Sequence, residues 1–355
     1  MKKQIIGFFL LTTVISFFTS CATASNKSSS LLKHRQPVEK KIKFNEVWAY
    51  VTQGRESFYS QELPVTDVCY FSADLNCYGE LINSPVRSKL EIREDQRIHY
   101  VFICDSKSLT HFVLDPQFGL RDNVIRQIVD KALVFDGLNI DMELIPARDR
   151  NLYLDFLKIL KEEWYLRGGT TKTGENKLFS VCVPGRVKPA AGEVFPYAEI
   201  GEIADRVFIM AYDEHWSTSA PGPIASSGWC RNIVDYAVTQ IPSEKIIMGM
   251  PFYGRTWAEK SPSGAWIYSS LETLFAENKI ETFGYDEDIP YFTYTARIPV
   301  TGYYNDSWAL TSLCCMYRDA GIDNVGFWRV GQETTDFWNY LEIAPHCETN
   351  SFSIE

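Results

Sequence analysis

The sequence predicts an α/β protein built from repeated strand–helix units, on three observations. From Glu46 onward, short apolar runs alternate with amphipathic segments. Eight of those runs have the length and composition of buried strands. One of them, Val134 to Glu143, has helix-like flanks on both sides, the arrangement of a parallel sheet covered on both faces.

Taken in order, Val47 to Val51 is the first strand, Val65 to Phe71 the second and Ile98 to Cys104 the third. Asn123 to Leu133 places apolar residues at helical spacing and leads into the fourth strand. In the next helix, Asn151 to Leu166, residues Tyr153, Phe156, Leu157, Leu160 and Trp164 share a face, and Gly168-Gly169 closes it. Leu178 to Pro184, Arg206 to Tyr212 and Lys245 to Tyr253 supply strands five to seven, with a helix from Arg231 to Val238 between the last two. Strand eight is Asn324 to Arg329. About seventy residues separate strands seven and eight, far more than one crossover helix requires. Within them Lys260 to Tyr304 reads as a small α+β insertion, and Trp308 to Ala320 as the closing helix. The main domain therefore covers 46–345, with a C-terminal tail at 346–355.

The fourth strand carries the chemistry. Alternate side chains of a strand share a face, so Asn139, Asp141 and Glu143 line one side while Leu138, Ile140 and Met142 line the other. On a solvated sheet that alternation would need no further reason. Inside a sheet covered on both faces, two carboxylates and an amide are costly unless hydrogen-bonded or used.

Asp136, Asn139, Asp141 and Glu143 resemble the Asp-x-x-Asp-x-Asp-x-Glu signature of glycoside hydrolase family 18, the chitinase-like TIM barrels, with Asn139 in place of the middle aspartate. Met210-Ala211-Tyr212-Asp213, at the end of strand six, resembles the Met-x-Tyr-Asp motif of the same family. Segments 214–229 and 249–257 are similar to one branch, the bacterial peptidoglycan-cleaving N-acetylglucosaminidases typified by spore-cortex-lytic enzymes, where asparagine at the position of Asn139 is not foreign. Trp328 matches the tryptophan that floors the family's central sugar subsite. The resemblance spans roughly Glu46 to Gln332. Strand three lacks the Ser-x-Gly-Gly of many chitinases and reads Val101-Phe102-Ile103-Cys104-Asp105-Ser106.

The resemblance implies a (β/α)8 TIM barrel with the insertion on its C-terminal face, and a hydrolase of glycans that contain N-acetylglucosamine. Glu143 would be the general acid, Asp141 its inner partner, and Tyr212 the residue that holds the acetamido carbonyl. Asn139, Asp136, Met210, Asp213, Trp328, Tyr50, Tyr253 and Trp216 would bind substrate. Most glycosidases place two carboxylates on opposite sides of the scissile bond. Asp141 and Glu143 are two residues apart on one face of a strand, so both would lie on one side of the sugar. The family's alternative then applies: the substrate's own C2-acetamido oxygen attacks the anomeric carbon while Glu143 protonates the leaving oxygen, with retention. Family members that lack the terminal glutamate are lectins, so a non-catalytic glycan-binding protein is the rival expectation. Glu143, Asp141 and Tyr212, all present, favour the enzyme.

Composition fits these expectations. The chain has 355 residues, 45% of them apolar, and a formal charge of −10, which allows one large core and argues against nucleic acid as a partner. Lys2, Lys3 and an apolar run from Ile5 to Phe18 read as an export signal (1–21), too short for a stable membrane span. Two processing sites compete. Cys21 fits a loose lipoprotein box and would become a lipidated first residue, whereas a cut after Ala22-Thr23-Ala24 would release a soluble protein. The Ser- and Lys-rich stretch that follows, within a tether at 22–45, favours the anchored, exported form. Cys69, Cys104 and Cys182 lie in strand-like runs and are expected as buried free thiols. The five histidines are scattered and no Cys-x-x-Cys occurs, so neither a metal nor a cofactor is expected. A monomer is the expected state.

Overall fold

The computed structural model describes residues 35–168, 170–171, 176–259, 268–334 and 336–345. The expected signal with Cys21, the tether through 34, Gly169, residues 260–267 of the insertion and the tail 346–355 lie outside them.

Eight strands pair in parallel, each with the next: β1 (Glu46–Thr52), β2 (Asp67–Leu75), β3 (Arg97–Cys104), β4 (Gly137–Met142), β5 (Leu178–Pro184), β6 (Arg206–Met210), β7 (Ile246–Pro251) and β8 (Asn324–Trp328). β8 returns to β1, with Gly326 opposite Trp48, and closes the sheet into a barrel with no free edge. This is the expected (β/α)8 barrel. Its strands are apolar nearly throughout because both faces are covered; all six residues of β4 are buried.

The helices lie outside the barrel for the reason their periodicity gives. In Arg121–Ala132, which begins two residues before the expected start, Val124, Ile125, Ile128, Val129 and Ala132 form one buried stripe. Arg150–Gly168 buries Tyr153, Phe156, Leu157, Leu160 and Trp164 as expected. Ser226 caps Ser227–Ala237 by accepting from the Trp229 amide, and Asp306 caps Ser307–Asp319 in the same way. The first two crossovers contain no α-helix, only the single turns Glu56–Phe58 and Arg87–Lys89 and a two-residue strand, Leu81–Ile82, added to β2.

Several boundaries move by a few residues. Ile42–Phe44, placed within the tether, form a strand paired with Leu341–Ile343, because Ile42 and Phe44 are apolar and find buried places. Val134–Asp136 form the turn before β4 rather than its start. The segment after β7 is α+β as expected. Gly254–Ala258 pairs antiparallel with Val300–Tyr304, and a hairpin of Thr282–Asp286 and Ile289–Thr293 packs Phe283 and Phe292 against Phe275 of the helix Leu271–Glu277.

Inside the barrel Trp48, Tyr50, Cys69, Val101, Cys182, Phe208 and Ile247 make a second, smaller core. Phe208 fits because two glycines make room: a Cβ on Gly326 would lie 2.2 Å from its ring, and one on Gly249 2.6 Å. At the strands' N-terminal ends Arg97 bridges Asp67 and Glu46, Arg206 also binds Glu46, and His99 lies 2.8 Å from Asp67, so the buried charges there are paired.

Candidate active site

At the opposite end, where the strands deliver their C-termini, a cleft of about 490 Å³ is lined by Phe71, Ile103, Asp141, Glu143, Met210, Tyr212, Asp213, Tyr253, Gly254, Arg255, Trp328 and Gln332. Seven of the eleven residues expected in the site are thus brought together: Asp141, Glu143, Met210, Tyr212, Asp213, Tyr253 and Trp328.

The alternation along β4 is as read from sequence. Leu138, Ile140 and Met142 join the core between barrel and helices, while Asn139 hydrogen-bonds within the barrel. Asp141 is buried, and its Oδ1 has no hydrogen-bond partner. Burial first, then the charges of Glu143 and Asp105, push its pKa up to about 7. Glu143, just beyond the strand and half-buried, is raised as well, by burial and then by Asp105 and Asp213. Two acids with raised affinity for protons therefore stand one above the other on the cleft wall, the condition a general acid needs near neutral pH. Burial, with Asp141 next, also raises the phenol of Tyr212, which stays a neutral donor.

Asp213 is held firmly. Its Oδ1 accepts from the Tyr253 hydroxyl at 2.6 Å and from Arg255 Nη2 and Nε at 2.7 and 3.0 Å. The Trp328 ring packs 4.8 Å from Phe71, edge to face, and 5.3 Å from Tyr50.

Four expected substrate-binding residues are elsewhere. Tyr50 is 1% exposed under Trp328, with its hydroxyl 3.1 Å from Asn139 Oδ1, so it and Asn139 form the floor beneath the cleft rather than its surface. Asp136 precedes β4, seven residues before Glu143, roughly 23 Å along an extended chain. Its carboxylate accepts from the Ile98 amide near the start of β3, a structural role at the wrong end of the barrel. Trp216 is 54% exposed on the loop after β6; its indole donates to Thr218 and its carbonyl accepts from Trp257. Phe71, Ile103, Arg255 and Gln332 were missed. Phe71 and Ile103 sit near the C-terminal ends of predicted strands, a position that alone could have flagged them. Arg255 follows the flagged Tyr253 by two residues but meets Asp213 only through the fold. Cys69, Cys104 and Cys182 are buried free thiols. Among the described residues no cluster of His, Cys, Asp or Glu could hold a metal, and no helix is long and apolar enough to cross a membrane.

Residues 107–333 match the family model for glycosyl hydrolases family 18. An uncharacterized glycosylase, YvbX, of Bacillus subtilis is 30% identical over 217 residues, 58% of this chain and 60% of that protein. The cortical fragment-lytic enzyme of the same species is 24% identical over 291 residues, 76% of this chain and 66% of that protein. The chain thus spans less than two thirds of the length of these relatives. Among solved structures, the Bacillus cereus spore cortex-lytic enzyme SleL superposes with a TM-score of 0.63 at 20% identity, covering 87% of this chain and 76% of SleL. A chitinase from Chromobacterium violaceum gives 0.60 at 21% identity, covering 84% and 98%.

Proposed function

Because the chain belongs to glycosyl hydrolase family 18, we propose that it is a glycosidase that cleaves β-1,4 bonds of N-acetylglucosamine-containing glycans, with retention and with Glu143 as general acid and base. One observation carries the substrate-assisted form of this reading. Three carboxylates line the cleft, and two of them, Asp141 and Glu143, come from the same strand face. The third, Asp213, is tied to Arg255 and Tyr253. No free carboxylate among the described lining residues faces Glu143 to act as nucleophile, so the acetamido oxygen of the sugar takes that role. Glu143 gives its proton to the leaving oxygen and then takes one from the water that opens the cyclic intermediate. Asp141 receives the acetamido N–H, Tyr212 donates to the acetamido oxygen and so orients it for attack, and Trp328 stacks under the ring.

Peptidoglycan or its fragments is the preferred substrate, in line with the cortical fragment-lytic and cortex-lytic relatives and with the export signal read at 1–21. On the same reading the chain is held at the membrane through lipidated Cys21 and acts as a monomer in the cell envelope. The first experiment is mass spectrometry of products from wild type and Glu143→Gln, with chitooligosaccharides and with purified peptidoglycan. Cleavage by wild type alone supports the reading, and the new reducing end identifies the bond. Binding without cleavage by both proteins would replace the enzyme with a lectin. Membrane association that survives Cys21→Ala would remove the lipid anchor.

A further inference from the structure

Beneath the cleft, two neighbouring strands share a hydrogen-bond cluster with a defined direction. Asn139 of β4 and Ser180 of β5 stand opposite one another in the strand pairing, both fully buried. The Ser180 hydroxyl lies 3.4 Å from the Leu138 carbonyl, to which it donates, and 2.8 Å from Asn139 Nδ2, from which it accepts. A hydroxyl has one proton, so a serine that donates to a carbonyl offers the amide only its lone pairs. On the other side the Tyr50 hydroxyl and the Cys182 thiol, at 3.1 and 3.4 Å, donate to Asn139 Oδ1. A thiol accepts poorly, which sets the amide in the same sense. The Asn139 NH2 is therefore turned to β5. Two residues on, along the same face of the strand, Asp141 Oδ1 is buried and takes no hydrogen bond.

We propose that Ser180 is a positioning residue, which holds the amide donors of Asn139 away from Asp141 and so leaves Asp141 Oδ1 without a donor from inside the barrel. The inference rests on the glycosidase reading of this site and adds a residue to it. Donors aimed at a carboxylate favour its charged form, and their absence favours the acid. Glu143 and Asp105 act on Asp141 in the same direction, and a hydrogen bond from the Cys182 thiol acts against them without outweighing burial. The phenols of Tyr50, Tyr153 and Tyr212 and the thiols of Cys69 and Cys182 are the other titratable groups within its electrostatic reach. In this arrangement Asp141 keeps a proton to share with Glu143 until the acetamido group arrives.

The test is the titration of Asp141 itself, read from the infrared carboxylic acid band that Asp141→Asn removes, in wild type, Ser180→Ala and Ser180→Thr. In Ser180→Ala the Asn139 amide loses its acceptor and is free to turn a donor onto Asp141. The midpoint is expected to fall by about half a pH unit or more, and to return when threonine restores the hydroxyl. A midpoint unchanged in a folded Ser180→Ala protein overturns the proposal, since a packing role would lower stability and leave the titration in place. Should the alanine variant not fold, Ser180→Cys, which keeps the shape but accepts poorly, is expected to shift the midpoint in the same direction; no shift there overturns it equally. Glycan cleavage by wild type is measured alongside. Its absence, with the infrared shift present, would count against the glycosidase reading and not against the role of Ser180.

Discussion

Arg255 holds Asp213 by one oxygen, with Nη2 and Nε 2.7 and 3.0 Å from Oδ1. Asp213 itself has a left-handed backbone, φ 58°, a conformation that aspartate tolerates better than most residues. The turn after β6 and the strand after β7 are joined at this point, on the rim of the cleft that also holds Glu143.

Arg255→Ala leaves the Asp213 charge without its cation, and Asp213 already raises Glu143. An acid beside a less compensated negative charge holds its proton to higher pH. The limb of the pH–rate profile set by loss of the Glu143 proton is therefore expected to move up. Loss of a charge-assisted hydrogen bond, about 1.5–3 kcal/mol, is expected to lower kcat/KM by roughly ten-fold or more. Coincident limbs in the two profiles would mean that Asp213 does not act on Glu143.

Asp141 links catalysis to stability. Its pKa is pushed up to about 7 in the folded protein, against an ordinary value near 3.8 in the unfolded chain. Between those values the unfolded chain has lost the proton and the folded protein keeps it, so stability falls as pH rises and the loss is complete above pH 7. The gap corresponds to roughly 4 kcal/mol. Asp141→Asn removes the titration. Thermal melts of the two proteins are expected to lie closest together near pH 4 and to separate progressively toward pH 8, with the variant gaining on wild type. A difference independent of pH would show that Asp141 is not the group that titrates.

How far the site could be read depends on whether its cause is local. The two-residue period of β4 placed Asp141 and Glu143 on one face without any knowledge of neighbours, and strand ends placed Met210, Tyr212 and Trp328 near the same rim. Asp136 misled because a motif read along a sequence hides its length in space. Seven residues of extended chain carry it from the cleft to the other end of the barrel. Tyr50 misled for a different reason: only closure of β1 onto β8 puts Trp328 over it. Ser180 gave no signal and Cys182 only that of a buried thiol, since a small polar residue in a strand acquires meaning only from the residue that the neighbouring strand sets beside it.

The barrel interior supplies a prediction of the same non-local kind. Gly326 looks like any strand glycine, yet a Cβ there would lie 2.2 Å from the Phe208 ring. Gly326→Ala is expected to cost about 1–3 kcal/mol by overpacking, read as a lower denaturant midpoint. Gly228, in the helix Ser227–Ala237, has nothing within 4 Å of a Cβ. Gly228→Ala is expected to stabilise by about 0.5–1 kcal/mol. Equal effects at the two positions would mean that Phe208 relaxes at no cost.

Among the described residues the Trp328 ring meets two aromatic rings, and it has two roles to separate. Its ring packs on Phe71 and covers Tyr50, which makes it part of the floor, and it lines the cleft, which makes it a platform for a sugar. Trp328→Ala removes both, whereas Trp328→Phe keeps a ring over Tyr50 and a smaller platform. Aromatic contacts of this kind contribute about 0.5–1.5 kcal/mol beyond the area they bury. KM for a chitooligosaccharide is therefore expected to rise several-fold in the alanine variant and less in the phenylalanine variant, with kcat reduced far less than in Glu143→Gln. A floor without a platform would give another pattern. Trp328→Ala would then melt lower and bind the glycan as wild type does, and the stacking surface of the cleft would have to be Phe71 or Tyr253 instead.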